Sequence, residues 1–310
     1  MQSTIELALS SVSQLTGPTP RSKLDPIVYD TTDYRDASIA CLSDSKIYKF
    51  SSPRSEPPQF AAGITFLNIN KISGIRLLAK VSDITRESYK VSLNSYHSTM
   101  KLGAGCTFFE VSQTDPDFQQ GKVITYLPQE YSNDVKITTW LFFARAFAEE
   151  VEIVTWLNQI DSQCFETGLL DIDTSIQHVD LEGFSLVYGS CRQPQKVCIL
   201  GSTWVAYQKC KPGIDSGRID KLKLGLVGAV NEAQGTVTKD VVFKKRFKKP
   251  PQVWLALCGI NMTLNGDDLR FKTRVVEGSI TTTGFNYHII SWGKAVLETV
   301  SLSWLAVELD

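Results

Sequence analysis

Pairs of aspartates are the residues of this 310-residue chain whose type and spacing come closest to catalytic chemistry. Asp171 with Asp173, and Asp267 with Asp268, each offer two carboxyl groups, the combination that glycoside hydrolysis uses as acid and base. The sequence does not fix the distance between the carboxyl groups, and single acids are common in loops. The chain also has no phosphate-binding glycine loop, no Gly-x-Ser-x-Gly and no dinucleotide-binding glycine pattern. We therefore expect a protein that is not an enzyme.

The densest charge cluster is the segment 244–249, which reads Lys-Lys-Arg-Phe-Lys-Lys. Lysine and arginine neutralise phosphates and a phenylalanine stacks on bases, so the cluster is one candidate for nucleic-acid binding. The alternative is an exposed strand pair that its lysines keep soluble. Because the formal net charge is −1, no global field draws the chain to nucleic acid, and we favour the strand pair. We expect no nucleic acid among the partners.

Metal ligands and membrane segments are not evident in the sequence. The seven cysteines form no Cys-x-x-Cys pair, which favours reduced, mostly buried thiols, and the three histidines are far apart. We expect no metal ion and no other cofactor. No apolar run approaches the roughly 18 residues of a membrane span, and residues 1–17 contain no basic segment ahead of an apolar one. We expect no membrane span, and a protein that is cytoplasmic or exported by an unconventional route.

An internal repeat of about 100 residues organises the chain. Its clearest element is a hydroxyl residue, an aromatic and a short apolar run, which closes each unit. This element lies at residues 107–111, 203–207 and 303–307. An alternating stretch precedes it each time, opened by Tyr89, Phe184 and Phe285. We place the three units at 22–113, 114–212 and 213–310, after a polar tail at 1–21.

Strict alternation of apolar and polar residues predicts the secondary structure of each unit. The segments 89–94 and 299–304 alternate with period two, which is typical of half-buried strands. The segment 143–154 has the alanines and glutamates of a helix, but the repeat register assigns it to a strand pair. We predict an all-β fold of three tandem six-stranded antiparallel β-sandwich domains.

The repeated motifs resemble those of the H-type lectin domain, found in snail agglutinins and at the C-terminus of discoidins. The family pattern has a phenylalanine before a proline pair, a Leu-Arg strand start, a Gly-aromatic strand and a closing Ser-Trp-aliphatic strand. The third unit carries it at Phe243, Pro250-Pro251, Leu269-Arg270, Gly284-Phe285, Trp292 and Ser303-Trp304-Leu305. The first unit carries it at Phe50, Pro57-Pro58, Ile75-Arg76, Tyr89, Tyr96-His97 and Phe108. The second unit is the weakest match.

The resemblance implies a small β-sandwich that assembles as a trimer and binds galactose or N-acetylgalactosamine between neighbouring subunits. One chain with three units suggests a further hypothesis, an intramolecular pseudo-trimer with its sites at the unit junctions. Such a protein would be a monomeric pseudo-trimer or a higher oligomer, and glycans or glycoconjugates would be its partners.

The family's sugar-binding residues are the strand-start arginine, a Trp-His pair and an acid in an early loop. The resemblance assigns these roles in the first unit to Arg76, Tyr96, His97 and Asp36. In the third unit it assigns them to Arg270, Trp292 and Glu232, with Gly293 in place of the histidine. In the second unit the corresponding residues are Asp171, Cys191 and Arg192, so we expect no conventional galactose site there.

Strand alternation places Arg76, Tyr96, Arg270 and Trp292 opposite the core face of their own sandwich. Two functions remain open for them, contact with a sugar and packing between units. The same alternatives apply to the whole chain. It is either a lectin for galactose or N-acetylgalactosamine, or a structural or protein-interaction scaffold in which the sugar sites are degenerate.

Overall fold

The computed structural model describes residues 27–36, 39–70, 74–96, 99–127, 135–164, 168–190, 197–226, 231–232 and 234–309. These residues form eighteen β-strands and include a short 3-10 turn at Thr31–Asp33. All the strand pairs are antiparallel and belong to three six-stranded sheets. The predicted all-β, six-stranded antiparallel fold is therefore confirmed.

The strands fall into three sets of six in chain order. The first set comprises β1 Val28–Asp30, β2 Ser43–Lys49, β3 Gln59–Ile69, β4 Ile75–Ser82, β5 Ser88–Ser95 and β6 Lys101–Val111. The second comprises β7 Phe118–Tyr126, β8 Val135–Phe142, β9 Val151–Ser162, β10 Leu169–Gln177, β11 Gly183–Ser190 and β12 Val197–Gln208. The third comprises β13 Ile214–Leu226, β14 Thr236–Val242, β15 Gln252–Thr263, β16 Leu269–Val275, β17 Gly284–Ile290 and β18 Val296–Val307. The domain boundaries given above stay a prediction.

Each sheet combines three strands from one set with three from another. The strand orders are β1-β6-β3-β16-β17-β14, β13-β18-β15-β10-β11-β8 and β2-β5-β4-β9-β12-β7. The third strand of one set pairs each time with the fourth strand of the next, as β3 with β16, β15 with β10 and β9 with β4. We call these three pairs the β3/β16, β15/β10 and β9/β4 junctions. They close the three sets into a ring.

The same position in each junction holds a pair of polar residues on facing strands. Asn68 is opposite Arg270, Asn261 is opposite Asp171, and Asp161 is opposite Arg76. The two arginines face away from the core, because the residues before and after each of them in the strand face into it. Ile75, Leu77, Leu269 and Phe271, which flank the two arginines, are fully buried. The alternation predicted for β4, β5, β16 and β17 is present.

The centre of the ring is packed by the three sets together. A second apolar cluster, separate from the main core, takes its members from β3, β6, β7, β9, β12, β13, β15 and β18. Gly63, Trp156 and Ala256 meet there, so closely that a Cβ on Gly63 would lie 2.5 Å from the Cβ of Ala256. The indole of Trp156 donates a hydrogen bond to the carbonyl of Ser303 at 3.0 Å. One large and two small side chains thus fill the space between three strands.

Two segments differ from the expected strand pairs. Residues 143–150 are a loop between β8 and β9, and the basic segment 244–249 is a loop between β14 and β15. The prediction of strands there was wrong because buried phenylalanines, spaced four apart, anchor each loop: Phe143 with Phe147 and Phe243 with Phe247, with ring centroids 4.9 Å apart in both. No helix in the described part of the chain is long and apolar enough to cross a membrane.

Candidate functional site

The β3/β16 junction brings together the arginine and the tryptophan of the third set with side chains of the first set. Arg270 is the second residue of β16, and its guanidinium lies 2.7 Å from the Asp268 carboxylate and 3.4 Å from that of Asp267. Trp292 follows β17 and is partly exposed, with its ring centroid 6.3 Å from that of Phe66 on β3. Both side chains therefore lie where two sets meet.

Gly293 explains why the position after Trp292 holds no histidine. Its φ of +85° favours glycine, and a Cβ there would lie 2.6 Å from Oδ2 of Asp267 and closer still to the Arg270 guanidinium. The guanidinium and the carboxylate thus take the space of a side chain at this position.

Asp267 is fixed by hydrogen bonds to the backbone and in turn fixes the Arg270 guanidinium. Its Oδ2 accepts a hydrogen bond from the backbone N–H of Lys294 at 2.6 Å, and its Oδ1 accepts one from the N–H of Asp268 at 2.8 Å. Burial raises the pKa of the Asp267 carboxyl, but these two N–H groups and the Arg270 charge outweigh it and hold the pKa below 3.8. The carboxylate is charged at neutral pH and fixes the guanidinium.

Asn68 adds an amide on the facing strand. It is opposite Arg270 in the β3/β16 register and only 8% exposed. Among the described residues its Oδ1 has no hydrogen-bond donor. A buried acceptor without a donor costs about 1–3 kcal/mol. The amide is thus suited to accept a hydrogen bond from a hydroxyl that enters beside Arg270.

Asp30 is a further acid at this junction, and the sequence did not single it out. Asp30 ends β1, and its carboxylate lies 2.9 Å from Nζ of Lys272 on β16. Asp36 and Glu232 are both exposed, and their backbone carbonyls accept hydrogen bonds from Arg35 and Thr236. The assignment of the family's acid to Asp36 and Glu232 stays a prediction.

The β9/β4 junction is more closed. Arg76 lies 3.5 Å from the Asp161 carboxylate, and the Tyr96 hydroxyl donates to the same carboxylate at 2.9 Å. Burial raises the pKa of Tyr96 to about 12, so the phenol stays a donor at neutral pH. The predicted site residues Arg76 and Tyr96 are brought together, but through Asp161, which the sequence did not single out. His97 lies outside the described residues.

The β15/β10 junction carries acidic side chains instead of an arginine at the strand start. Asn261 is opposite Asp171, and its Oδ1 is buried without a donor among the described residues. A polar cleft of about 460 Å³ adjoins Asn261 and is lined by Lys223, Leu224, Gly225, Asn261, Glu298 and Thr299. Cys191 and Arg192 lie outside the described residues. The acceptor of the β3/β16 junction recurs here, without its arginine.

Aspartates of both candidate pairs form ion pairs with arginines, and the phenylalanine of the basic segment is buried. Asp173 pairs with Arg218 at 2.7 Å, and Asp267 and Asp268 both pair with Arg270. Phe247, the residue proposed to stack on a base, is 4% exposed and cannot reach a ligand. In the part of the chain that the structure describes, no group of three His, Cys, Asp or Glu side chains is placed to hold a metal ion.

Comparison with known proteins gives one finding. The sequence model of the H-type lectin domain matches residues 238–307, from within β14 to the end of β18. The match includes Arg270 and Trp292 and covers a single copy. No curated protein and no solved structure shows a significant match to the chain. The match indicates carbohydrate binding in general terms for the third set of strands.

Proposed function

We propose that this protein is a lectin, built of three tandem H-type lectin-like domains, that binds galactose or N-acetylgalactosamine at the β3/β16 junction. The family match over residues 238–307 supports the third domain. The recurrence of six strands in one pairing order supports the other two, because related units fold alike. The chain is proposed to act by binding, without catalysis, in the cytoplasm or after export by an unconventional route.

The observation that carries the proposal is the meeting of three suitable groups at one junction. Arg270 offers a forked donor, Trp292 an indole face and Asn68 an acceptor that has no donor among the described residues. A galactose-type sugar has vicinal hydroxyls on one side and an apolar C–H face on the other. The guanidinium would bind the hydroxyl oxygens, the indole would stack on the C–H face and the amide oxygen would accept a hydroxyl.

The three junctions are proposed to differ in strength. At the β9/β4 junction the Tyr96 hydroxyl already occupies the Asp161 carboxylate, so a sugar hydroxyl would have to displace it. At the β15/β10 junction Asp171 stands where the arginine would be. A sugar there meets acceptors but no forked donor at the strand start. The β3/β16 junction is therefore the principal site, and avidity from three equal sites is not expected.

A glycan array on the purified full chain tests the proposal. We expect binding to glycans that end in galactose or N-acetylgalactosamine, and its loss in Trp292→Ala and in Arg270→Ala. Arg246→Ala is the matched control, because Arg246 is exposed in the same set of strands and lies outside the junction. Absence of binding to every glycan overturns the lectin proposal. Equal binding by all three variants overturns the site.

The ring of strands also supports a single-chain pseudo-trimer. Each set pairs with both others, so a junction needs no second copy of the chain. Size-exclusion chromatography with light scattering should give one mass, that of a 34.5 kDa monomer. An obligate trimer of chains would contradict this part of the proposal and leave the glycan test unaffected.

A scaffold with degenerate sugar sites is the second candidate. It is favoured by the engagement of Arg270 with Asp267 and Asp268, and of Tyr96 with Asp161, since these bonds hold the same donors that a sugar would need. The array separates the two candidates. A scaffold would bind no glycan above background.

A further inference from the structure

A mainly apolar cleft of about 340 Å³ lies at the other end of the β3/β16 junction. Its floor is Val253 and Leu255 on β15, and its walls include Val28 from the first set and Val275 and Ile280 from the third. Pockets for small molecules begin at about 300 Å³ and are lined mostly by apolar groups with a few polar ones. The cleft has both properties.

The cleft begins where the two strands of the junction separate. The ladder between β3 and β16 ends at the pair Phe66 and Lys272. The next residues would be Thr65, a bulge residue, and Thr273. The Thr273 hydroxyl donates within its own set, to the carbonyl of His288 at 2.9 Å. The strands therefore part at Thr65 and Thr273.

The strand pairing of the other two junctions ends at the equivalent residue pair, but side-chain hydrogen bonds connect the two strands beyond it. At the β9/β4 junction the bulge residue is Asn158, and its Nδ2 donates to the carbonyl of Ala79 at 3.3 Å. At the β15/β10 junction the bulge residue is Cys258, and the Thr174 hydroxyl donates to its carbonyl at 2.8 Å. Both bonds cross from one set of strands to the other and draw the separated strands together.

A long cation also fills the β15/β10 junction. Arg218, opposite Ser303 on β18, donates to the carbonyl of Thr174 and lies 2.7 Å from the Asp173 carboxylate. The residue at the same place in the first set is Val28, opposite Thr107 on β6. Val28 is 50% exposed and too short to cross the gap. At the cleft, Val28 thus takes the place of Arg218 and Thr65 the place of Asn158, and neither forms the bridge seen at the other junction.

We propose that this cleft binds a small neutral molecule that is mainly hydrocarbon and carries a hydroxyl group. The floor and most of the wall supply apolar contact. The hydroxyls of Thr107 and Thr273 both donate to backbone carbonyls, so their oxygens are left to accept a donor from the ligand. Arg274 and Glu277, of opposite charge and both exposed, line the mouth, which favours neither a cation nor an anion.

Isothermal titration calorimetry of the full chain with 1-octanol as the probe tests this site. We expect saturable binding of one molecule per chain with a negative heat-capacity change, and binding at least ~10-fold weaker for octanoate and octylamine. Free galactose should not compete, which separates this site from the proposed lectin site. Heat without saturation, or equal binding of all three probes, overturns the proposal.

Two variants restore the bridges of the other junctions. Val28→Arg copies Arg218, and Thr65→Asn copies Asn158; each should reduce octanol binding at least ~10-fold, because the new side chain occupies the cleft. Val242→Arg is the matched control, since Val242 is 75% exposed on β14 and outside the cleft. Circular dichroism confirms that each variant folds. Undiminished binding in either folded cleft variant overturns the assignment, and failure of the wild-type chain to saturate does so without any variant.

Discussion

Asn68 is the single side chain that best separates a working junction from a structural one. Its buried Oδ1 has no donor in the described part of the chain, and a ligand hydroxyl that donated to it would remove the cost of the unpaired acceptor. Asn68→Leu keeps the volume and removes the acceptor. We expect the free energy of unfolding in urea to stay equal or rise by about 1 kcal/mol, while affinity for the glycan falls by about tenfold.

A matched change at the β9/β4 junction is the control. Asp161 accepts from Tyr96 and pairs with Arg76, so Asp161→Leu leaves both partners without their acceptor. That variant should lose about 1–3 kcal/mol of stability. If Asn68→Leu loses as much stability as Asp161→Leu, then the Asn68 amide is a structural group and our interpretation of it is wrong.

Because of Asp267, the stability of the β3/β16 junction should depend on pH. Its pKa lies below 3.8 in the folded protein, so the carboxylate stabilises the fold above that value, and this stabilisation disappears as pH falls through the folded pKa. Asp267→Asn should be less stable than the wild type at pH 7, and the difference should shrink as the pH falls below 3.8. Urea unfolding at stepped pH measures it. A constant deficit for Asp267→Asn would contradict this prediction.

The polar groups of the site were harder to predict than the strands that carry them. Arg270 and Trp292 follow from local motifs and alternate with buried neighbours. Asn68 and Asp161 stand out only once β3 is paired with β16, and β9 with β4, across long stretches of chain. Period-two alternation shows which face a residue occupies, but it contains no information about which strand lies alongside.

At the scale of elements, the loops before β3, β9 and β15 each contain a phenylalanine that packs on the side chain four residues later, but the type of that side chain differs. Phe143 packs edge to face on Phe147, and Phe243 does the same on Phe247. In the first set the partner of Phe50 is Arg54, whose guanidinium lies 4.4 Å from the ring centroid and pairs with Glu110. In each loop these contacts hold the phenylalanine in place, and neither helix propensity nor the repeat register predicts them.

The basic loop should therefore depend on its phenylalanine more than on its lysines. The Asp215 carboxylate accepts from the backbone N–H of Lys244 at 2.6 Å, and Phe247 is buried. Phe247→Ala should cost about 3–5 kcal/mol of unfolding free energy. Lys248→Ala, which removes an exposed charge from the same loop, should change it by less than about 0.5 kcal/mol. Equal losses in urea denaturation would show that the charges, not the core contact, hold the loop.

At the scale of the whole molecule, the ring differs from an assembly of identical subunits in its central packing. Gly63, Trp156 and Ala256 occupy corresponding places on β3, β9 and β15. Three copies of the second set would bring three indoles together there, and the interior has no such space. In the single chain, one large and two small side chains fill this space instead. The three sets are therefore not interchangeable, although their strands pair in the same order.

Gly63→Ala tests whether this centre holds the ring together. The new Cβ would lie 2.5 Å from the Cβ of Ala256 and 2.6 Å from that of Trp156, so strands from all three sets would have to move. Overpacking of this kind costs about 1–3 kcal/mol. Gly189→Ala is the matched control, because its Cβ would have no neighbour closer than 4.0 Å and it too lies within a strand. Ala256→Gly added to Gly63→Ala should recover part of the loss, since the two sites share one space.

The measurement for these variants is the midpoint of urea unfolding. We expect a single transition that shifts as a whole, because every sheet contains strands of two sets. Two separate transitions, or a Gly63→Ala variant as stable as Gly189→Ala, would mean that the sets fold independently and that the centre does not join them.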